Sequence, residues 1–147
     1  MSLCLNSTFK TSLTGMIVPE EKSIFNILSQ DLKYLYQLRV GLSPLKAHKY
    51  RHNFLDTPSD TCMCTLGPES TIHYLLYCPF FNAHRNELMK IVRPILNELT
   101  ENVDDLILSN ILLYGKKTLN PVQNRKILNA TLNYIRKTGR FCRDTEV

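Results

Sequence analysis

Cys62, Cys64, His73 and Cys78 are the residues of this chain whose types and spacing could do chemistry. Thiolate and neutral imidazole are the donors that suit Zn²⁺, and three cysteines with one histidine form a standard closed tetrahedral set. Four protein ligands leave no open position for a substrate, so the expected role is structural, with one zinc ion. Gly67-Pro68 lies between the two ligand pairs and is a turn signal that folds the chain back. Thr71 to Tyr77 then reads as a short helical or extended segment that delivers His73 and ends near Cys78-Pro79. Against this, Cys62-Met63-Cys64 is tighter than the usual spacer of about two to four residues. Cysteine is also among the most buried residue types, so the four could cluster as ordinary buried side chains. Met63 and Leu66, beside the ligands, are expected to have a packing role. His84 is a spare imidazole expected to face solvent.

The elements that must position this set come from the rest of a 147-residue chain with 44% hydrophobic content, enough for one domain with a core or a small metal module beside a helical one. It is too short for a polymerase. The cysteine count is five, an odd number, and Met1 to Thr14 contains no apolar run of signal-peptide length. A reducing, intracellular setting is therefore expected, where clustered cysteines point to metal before disulfides. Cytoplasm and nucleus stay open. Cys4 and Cys142, at the two ends, are expected to be unconnected to the site. No window approaches the length of a membrane span.

Hydrophobic periodicity makes the fold class mainly α, a small helical domain with a zinc-knuckle-like insertion and little or no β. Residues 1–19 read as a poorly ordered leading segment. Glu20 and Glu21 suit a first helical turn, and Ile24, Leu28, Leu32, Leu35 and Leu38 recur at helical spacing until Gly41 ends the helix. Tyr34 and Tyr36 on it are expected to pack their rings. Ser43-Pro44 reads as an N-cap and first-turn proline opening a short basic helix with Lys46, His48, Lys49 and Arg51. The helical basic segment spans 20–56, the knuckle-like module 57–81, a C-terminal helical segment 82–141 and a tail 142–147. After Cys78-Pro79, Phe81, Arg85, Leu88, Met89 and Val92 share a helical face up to Pro94, which can kink or restart it. Leu106 to Leu113 forms a further helix ending at Tyr114-Gly115. Asn120-Pro121 opens a last one with Ile127, Leu128, Thr131, Leu132 and Ile135 on one face.

The net charge of +5 is modest, but its distribution is uneven. Two stretches, Leu32 to Leu55 and Tyr114 to Arg143, contain no acidic residue. Between them lies the acidic patch Glu98, Glu101, Asp104 and Asp105. Basic blocks flanking a knuckle suit a phosphate backbone; ordinary solvated helix faces would look the same.

The run Leu38-Arg39-Val40-Gly41, then His48 to Phe54, Cys62-Met63-Cys64, and His73-Tyr74-Leu75-Leu76-Tyr77-Cys78-Pro79 resembles the C-terminal region of reverse transcriptases encoded by non-LTR (LINE-type) retrotransposons. There an L-R-x-G segment precedes a Cys/Cys/His/Cys knuckle ending in H-x-L-x-x-C-P. The likeness covers about Leu38 to Leu88, with a weaker echo to Phe141. It implies a zinc-binding appendage of a retrotransposon polyprotein, associated with retroelement RNA or DNA and with the parent polymerase, with Cys62, Cys64, His73 and Cys78 at the ligand positions. On that reading Arg39, Lys46, Lys49 and Arg51 contact phosphates. The family's polymerase activity sits in an upstream palm domain, so the chain resembles a fragment or decayed copy. Val103-Asp104-Asp105 looks superficially like a palm aspartate pair, but it falls in an acidic helix lead-in.

No nucleophile beside a base, no paired carboxylates and no phosphate-cradling glycine loop is recognisable, so catalysis is not expected. Two readings remain: a nucleic-acid-binding module, or a knuckle that staples helices and presents an apolar face to the polymerase body or to another copy.

Overall fold

The computed structural model describes residues 32–142. The segment 1–19, the start of the first predicted helix, Cys4 and the tail beyond Cys142 lie outside them. Among the described residues the architecture is mainly helical with no strand, as the periodicity predicts. The elements are α1 (described from 32 to 40), α2 (Lys46–Arg51), a π turn at His73–Tyr77, a 3-10 turn at Pro79–Phe81, α3 (Asn82–Leu96), α4 (Asp105–Tyr114) and α5 (Pro121–Thr138).

Gly41 ends α1 with φ +73°, and the Leu42 N–H closes back onto the Gln37 carbonyl at 2.9 Å. That six-to-one bond needs a left-handed residue at Gly41, where a side chain would be strained. The short basic helix starts two residues later than the Ser43-Pro44 pair predicts: Leu45 is its N-cap and supplies no side-chain cap. The Ser43 hydroxyl faces the His48 ring instead, with Oγ 2.7 Å from Nδ1. Glu69 supplies what the predicted cap does not, its carboxylate accepting the Lys46 N–H at 2.8 Å.

α3 and α5 pack along each other, α4 lies against α5, and the π turn touches both α3 and α4. The core between them contains Leu88, Val92, Leu112, Ile127, Leu132 and Ile135, with Tyr74 and Leu75 delivered from the π turn. Tyr34 of α1 is buried and stacks on Phe141, centroids 4.9 Å apart. Tyr36 is exposed. Pro94 does not break α3. It sits in the last turn on an exposed face, where the Lys90 carbonyl that it leaves without an N–H donor is within reach of water. The acidic lead-in works as read: Asp104 Oδ1 accepts the Ile107 N–H at 2.8 Å and caps α4. Asn120 and Gln123 form a reciprocal capping box at the start of α5, with Pro121 at its first position.

Candidate metal centre

Two short pieces of chain bring the four ligand-type side chains together. The first is a tight loop from Asp60 to Glu69. Its arms are joined by Glu69 N–H to the Asp60 carbonyl at 2.7 Å, an isolated bridge between Thr61 and Pro68, and Cys62 N–H to the Gly67 carbonyl at 2.8 Å. At its tip the Thr65 N–H returns to the Cys62 carbonyl at 2.9 Å, which curls Met63-Cys64 back over Cys62. The closeness of the Cys-x-Cys pair is met by this turn. Thr65 takes the strain with a left-handed φ of +67°, uncommon for a β-branched residue.

The second piece is helical from Thr71, and its last turn is π rather than α. The Cys78 N–H bonds the His73 carbonyl at 2.8 Å, a five-residue closure that ties one ligand's backbone to the other's. The Ser70 hydroxyl accepts the His73 N–H at 3.2 Å and opens the segment. Of the two alternatives for Thr71 to Tyr77, helical is correct.

The ligand atoms of Cys62, Cys64, His73 and Cys78 all lie within 4.8 Å of one another. Cys62 Sγ stands 3.8 Å from Cys78 Sγ, and Cys64 Sγ 3.2 Å from His73 Nε2. Cys62, Cys64 and Cys78 are free thiols, and 3.8 Å is far beyond an S–S bond of about 2.05 Å. Three of the four residues are buried and Cys64 is half-buried, so the set closes inward. Such a cluster can hold a metal ion.

Burial pushes the Cys62 thiol up to about 12 and also raises Cys78. At Cys64 burial acts in the same upward direction, but the Leu66 backbone N–H and the neighbouring thiols outweigh it and hold the group below its usual value. Burial lowers His73, keeping the imidazole neutral and its lone pair available. Without a metal, then, the two most buried sulfurs hold their protons. A metal has to displace them, which ties affinity to pH.

The remaining sequence-assigned residues are placed less uniformly. Arg39 donates from Nε to the Leu113 carbonyl at 2.6 Å and lies between the Tyr36 and Tyr114 rings, 5.2 and 5.1 Å from their centroids. Lys49 pairs with Asp56 at 2.8 Å and sits over Phe54. Lys46 reaches the Met63 sulfur at 3.6 Å, and Arg51 is exposed. Two of the four, Arg39 and Lys49, thus have partners within the chain, through a backbone carbonyl and a carboxylate. Met63 and Leu66 do not pack as expected; they are 71% and 72% exposed. A loop this small has no interior beyond its ligands. His84 is half-buried and outside the cluster.

Three residues that hold the centre went unassigned in the sequence. Glu69, 3% exposed, receives a two-pronged bond from Arg140, with Nε to Oε2 at 2.6 Å and Nη2 to Oε1 at 2.7 Å. Burial raises the Glu69 carboxyl, but Arg140 and the Lys46 backbone outweigh it and leave it below its ordinary value. Its own backbone closes the loop, so one residue joins the loop, α2 and the chain after α5. The third is Arg85, buried against the π turn. Its signal was visible, since it falls on the apolar face shared by Phe81, Leu88 and Val92. For Glu69 and Arg140, far apart in sequence, no local pattern exists.

No protein-family model, no curated protein and no solved structure matches this chain. No helix among the described residues is long and apolar enough to cross a membrane.

Proposed function

We propose that this chain is a zinc-stabilised helical module that binds the RNA or DNA of a retroelement, of the kind it resembles at the C-terminus of LINE-type reverse transcriptases. It would carry no polymerase chemistry of its own. The convergence of Cys62, Cys64, His73 and Cys78 carries this reading. Metal–sulfur bonds of about 2.3 Å in a tetrahedron set sulfur–sulfur edges of about 3.8 Å. The Cys62–Cys78 separation of 3.8 Å already has that length. Soft thiolates with one imidazole favour zinc over the oxygen-seeking cations. One ion filled by four protein ligands then acts structurally, clasping the Asp60–Glu69 loop to the π turn. Nucleic-acid binding is supported by exposed Arg51 and the half-buried Lys46, with the exposed Tyr50 and Phe54 rings between and beside them. Aromatic faces alternating with cations suit a single strand.

The test begins with zinc stoichiometry on the purified chain. One zinc per chain in the wild type, lost in Cys64→Ser, is the expected result; a wild type without zinc removes the proposal. Binding of a labelled single strand should then weaken steeply with salt, and Arg51→Ala should flatten the slope of log affinity against log salt by about 0.7.

One observation favours a second reading, in which the knuckle docks on the polymerase body or on another copy. Met63, Leu66 and Phe80 stand exposed around the ligand set, and Met63 and Phe80 border an open cleft of about 330 Å³ with Lys46 and Phe81. Arg39 and Lys49 are meanwhile occupied within the chain. Salt separates the two, because an apolar contact holds or tightens where phosphate contacts fade.

A further inference from the structure

Arg85 is a cation in a core position. It lies on α3 between Phe81 and Leu88, and only 8% of it is exposed. Its donors are engaged by neutral acceptors. Nε donates to the Leu75 carbonyl at 2.9 Å, Nη1 to Asn82 Oδ1 at 2.7 Å, and Nη2 to the Cys78 carbonyl at 2.8 Å, with the Tyr134 hydroxyl at 3.4 Å and the Tyr74 carbonyl at 3.5 Å. Among the described residues it forms no ion pair with a carboxylate. Glu69, the buried carboxylate among the described residues, is taken up by Arg140.

A buried charge with hydrogen bonds but no counter-charge is unfavourable, and an arginine cannot escape by losing its proton. The carbonyls it gathers are those at the end of the 71–77 turn, whose dipole is negative there and offsets part of the cost. The groups that can supply the rest are the thiol of Cys78, which follows the same turn, and those of Cys62 and Cys64, clustered with it from the Asp60–Glu69 loop. On the zinc reading proposed above, three thiolates and one Zn²⁺ leave a net charge of minus one, the histidine being neutral. A loaded centre and Arg85 together are neutral.

We propose that Arg85 is a positioning residue for the metal centre: it holds the Cys78 carbonyl, and its charge balances the excess negative charge of the loaded three-thiolate site. It touches no metal. Its effect passes through the peptide that carries Cys78 and through the field across that peptide. A guanidinium with a purely architectural role would brace the turn whatever charge the centre carried. The two roles therefore separate when the charge of the centre is changed.

The experiment measures zinc affinity by competition with a chelator in four chains: wild type, Arg85→Met, Cys64→His and the double variant. Cys64→His makes a two-cysteine, two-histidine set that is neutral when loaded. Arg85→Met should weaken zinc by about tenfold or more in the wild-type background, the usual cost of losing an outer-shell partner, but by less than about threefold in the Cys64→His background. Equal losses in both backgrounds, or no loss in either, overturn the proposal. Should Arg85→Met fail to fold by circular dichroism, or Cys64→His fail to take zinc, Arg85→Lys and Arg85→Gln decide. The lysine should bind zinc at least about fivefold more tightly than the glutamine, and equal affinities overturn the proposal. A wild type that binds no zinc is a different failure, seen before any variant is made, and it removes the functional reading beneath this one.

Discussion

The Asp60–Glu69 loop and the α3–α4–α5 body are held by different forces. The body buries Leu88, Val92, Leu112, Ile127, Leu132 and Ile135 against one another. The loop leaves Met63 and Leu66 in solvent and buries little besides Cys62, Glu69 and a share of Cys64. Apolar burial contributes roughly 25 cal/mol per Å², so the body has an ample driving force of its own and the loop does not. The loop is held by its own backbone closure and by the Glu69–Arg140 clasp, and on the zinc reading proposed above a bound ion would add the larger share. The π turn belongs to both regions: His73 and Cys78 face the centre while Tyr74 and Leu75 enter the core.

The largest test of this division is removal of the metal. Structural zinc binds finger peptides with about 10–16 kcal/mol at neutral pH, so a chelator should cost the loop its order. In hydrogen exchange, the Cys62, Thr65 and Glu69 amides should lose protection while those of α3 and α5 keep most of theirs. Simultaneous loss across both regions would show that the body depends on the ion too.

The clasp comes next. Glu69→Gln leaves Arg140 facing a neutral amide in a mostly buried position, and truncating one side of such a pair costs about 3 kcal/mol or more. Urea unfolding of the zinc-loaded chain measures it, and a loss below about 1 kcal/mol would place the pair among weak surface bridges. Leu112→Ala should cost the body about 3 kcal/mol, the leucine being fully buried. Zinc stoichiometry should stay at one ion per chain, because Leu112 is not a member of the ligand set.

The smallest effect is a pH dependence at His48. Burial, then the charges of Arg51 and His52, hold its pKa below the ordinary 6.5. Its Nδ1 accepts the Ser43 N–H at 3.2 Å, and the Thr71 hydroxyl lies 3.2 Å from Nε2, so the folded state keeps the ring neutral. The unfolded chain takes up a proton as pH falls below 6.5 and the folded chain does not. This contribution is complete above 6.5 and declines as pH drops from there toward the folded pKa. His48→Asn should make stability less dependent on pH in that window, measured as the difference from wild type with zinc bound.

Local chemistry made much of this legible in advance. Helices end where Gly41 and Gly115 stand and start where Asp104 and Asn120 stand, because caps and breakers act on a few neighbouring backbone groups. The ligand set could be named for the same reason: its members lie close in sequence about a Gly-Pro bend. The short basic helix was misplaced by two residues because Ser43-Pro44 matched a local cap rule, while the acceptor that opens the helix, Glu69, lies in the next loop. Arg39 and Lys49 looked available for phosphate because sequence shows charge and not its partners.

The residue types and spacing determined by themselves that this chain is helical and that four soft donors lie within reach of one turn, since periodicity and short-range closure are properties of neighbouring residues. Only the tertiary structure decided that Arg140 clasps Glu69, that Arg85 lies buried without a carboxylate behind Cys78, and that two of the four assigned cations are occupied. Those outcomes depend on which segments the packed core brings face to face. Desolvation of a charge is settled by what surrounds it in space.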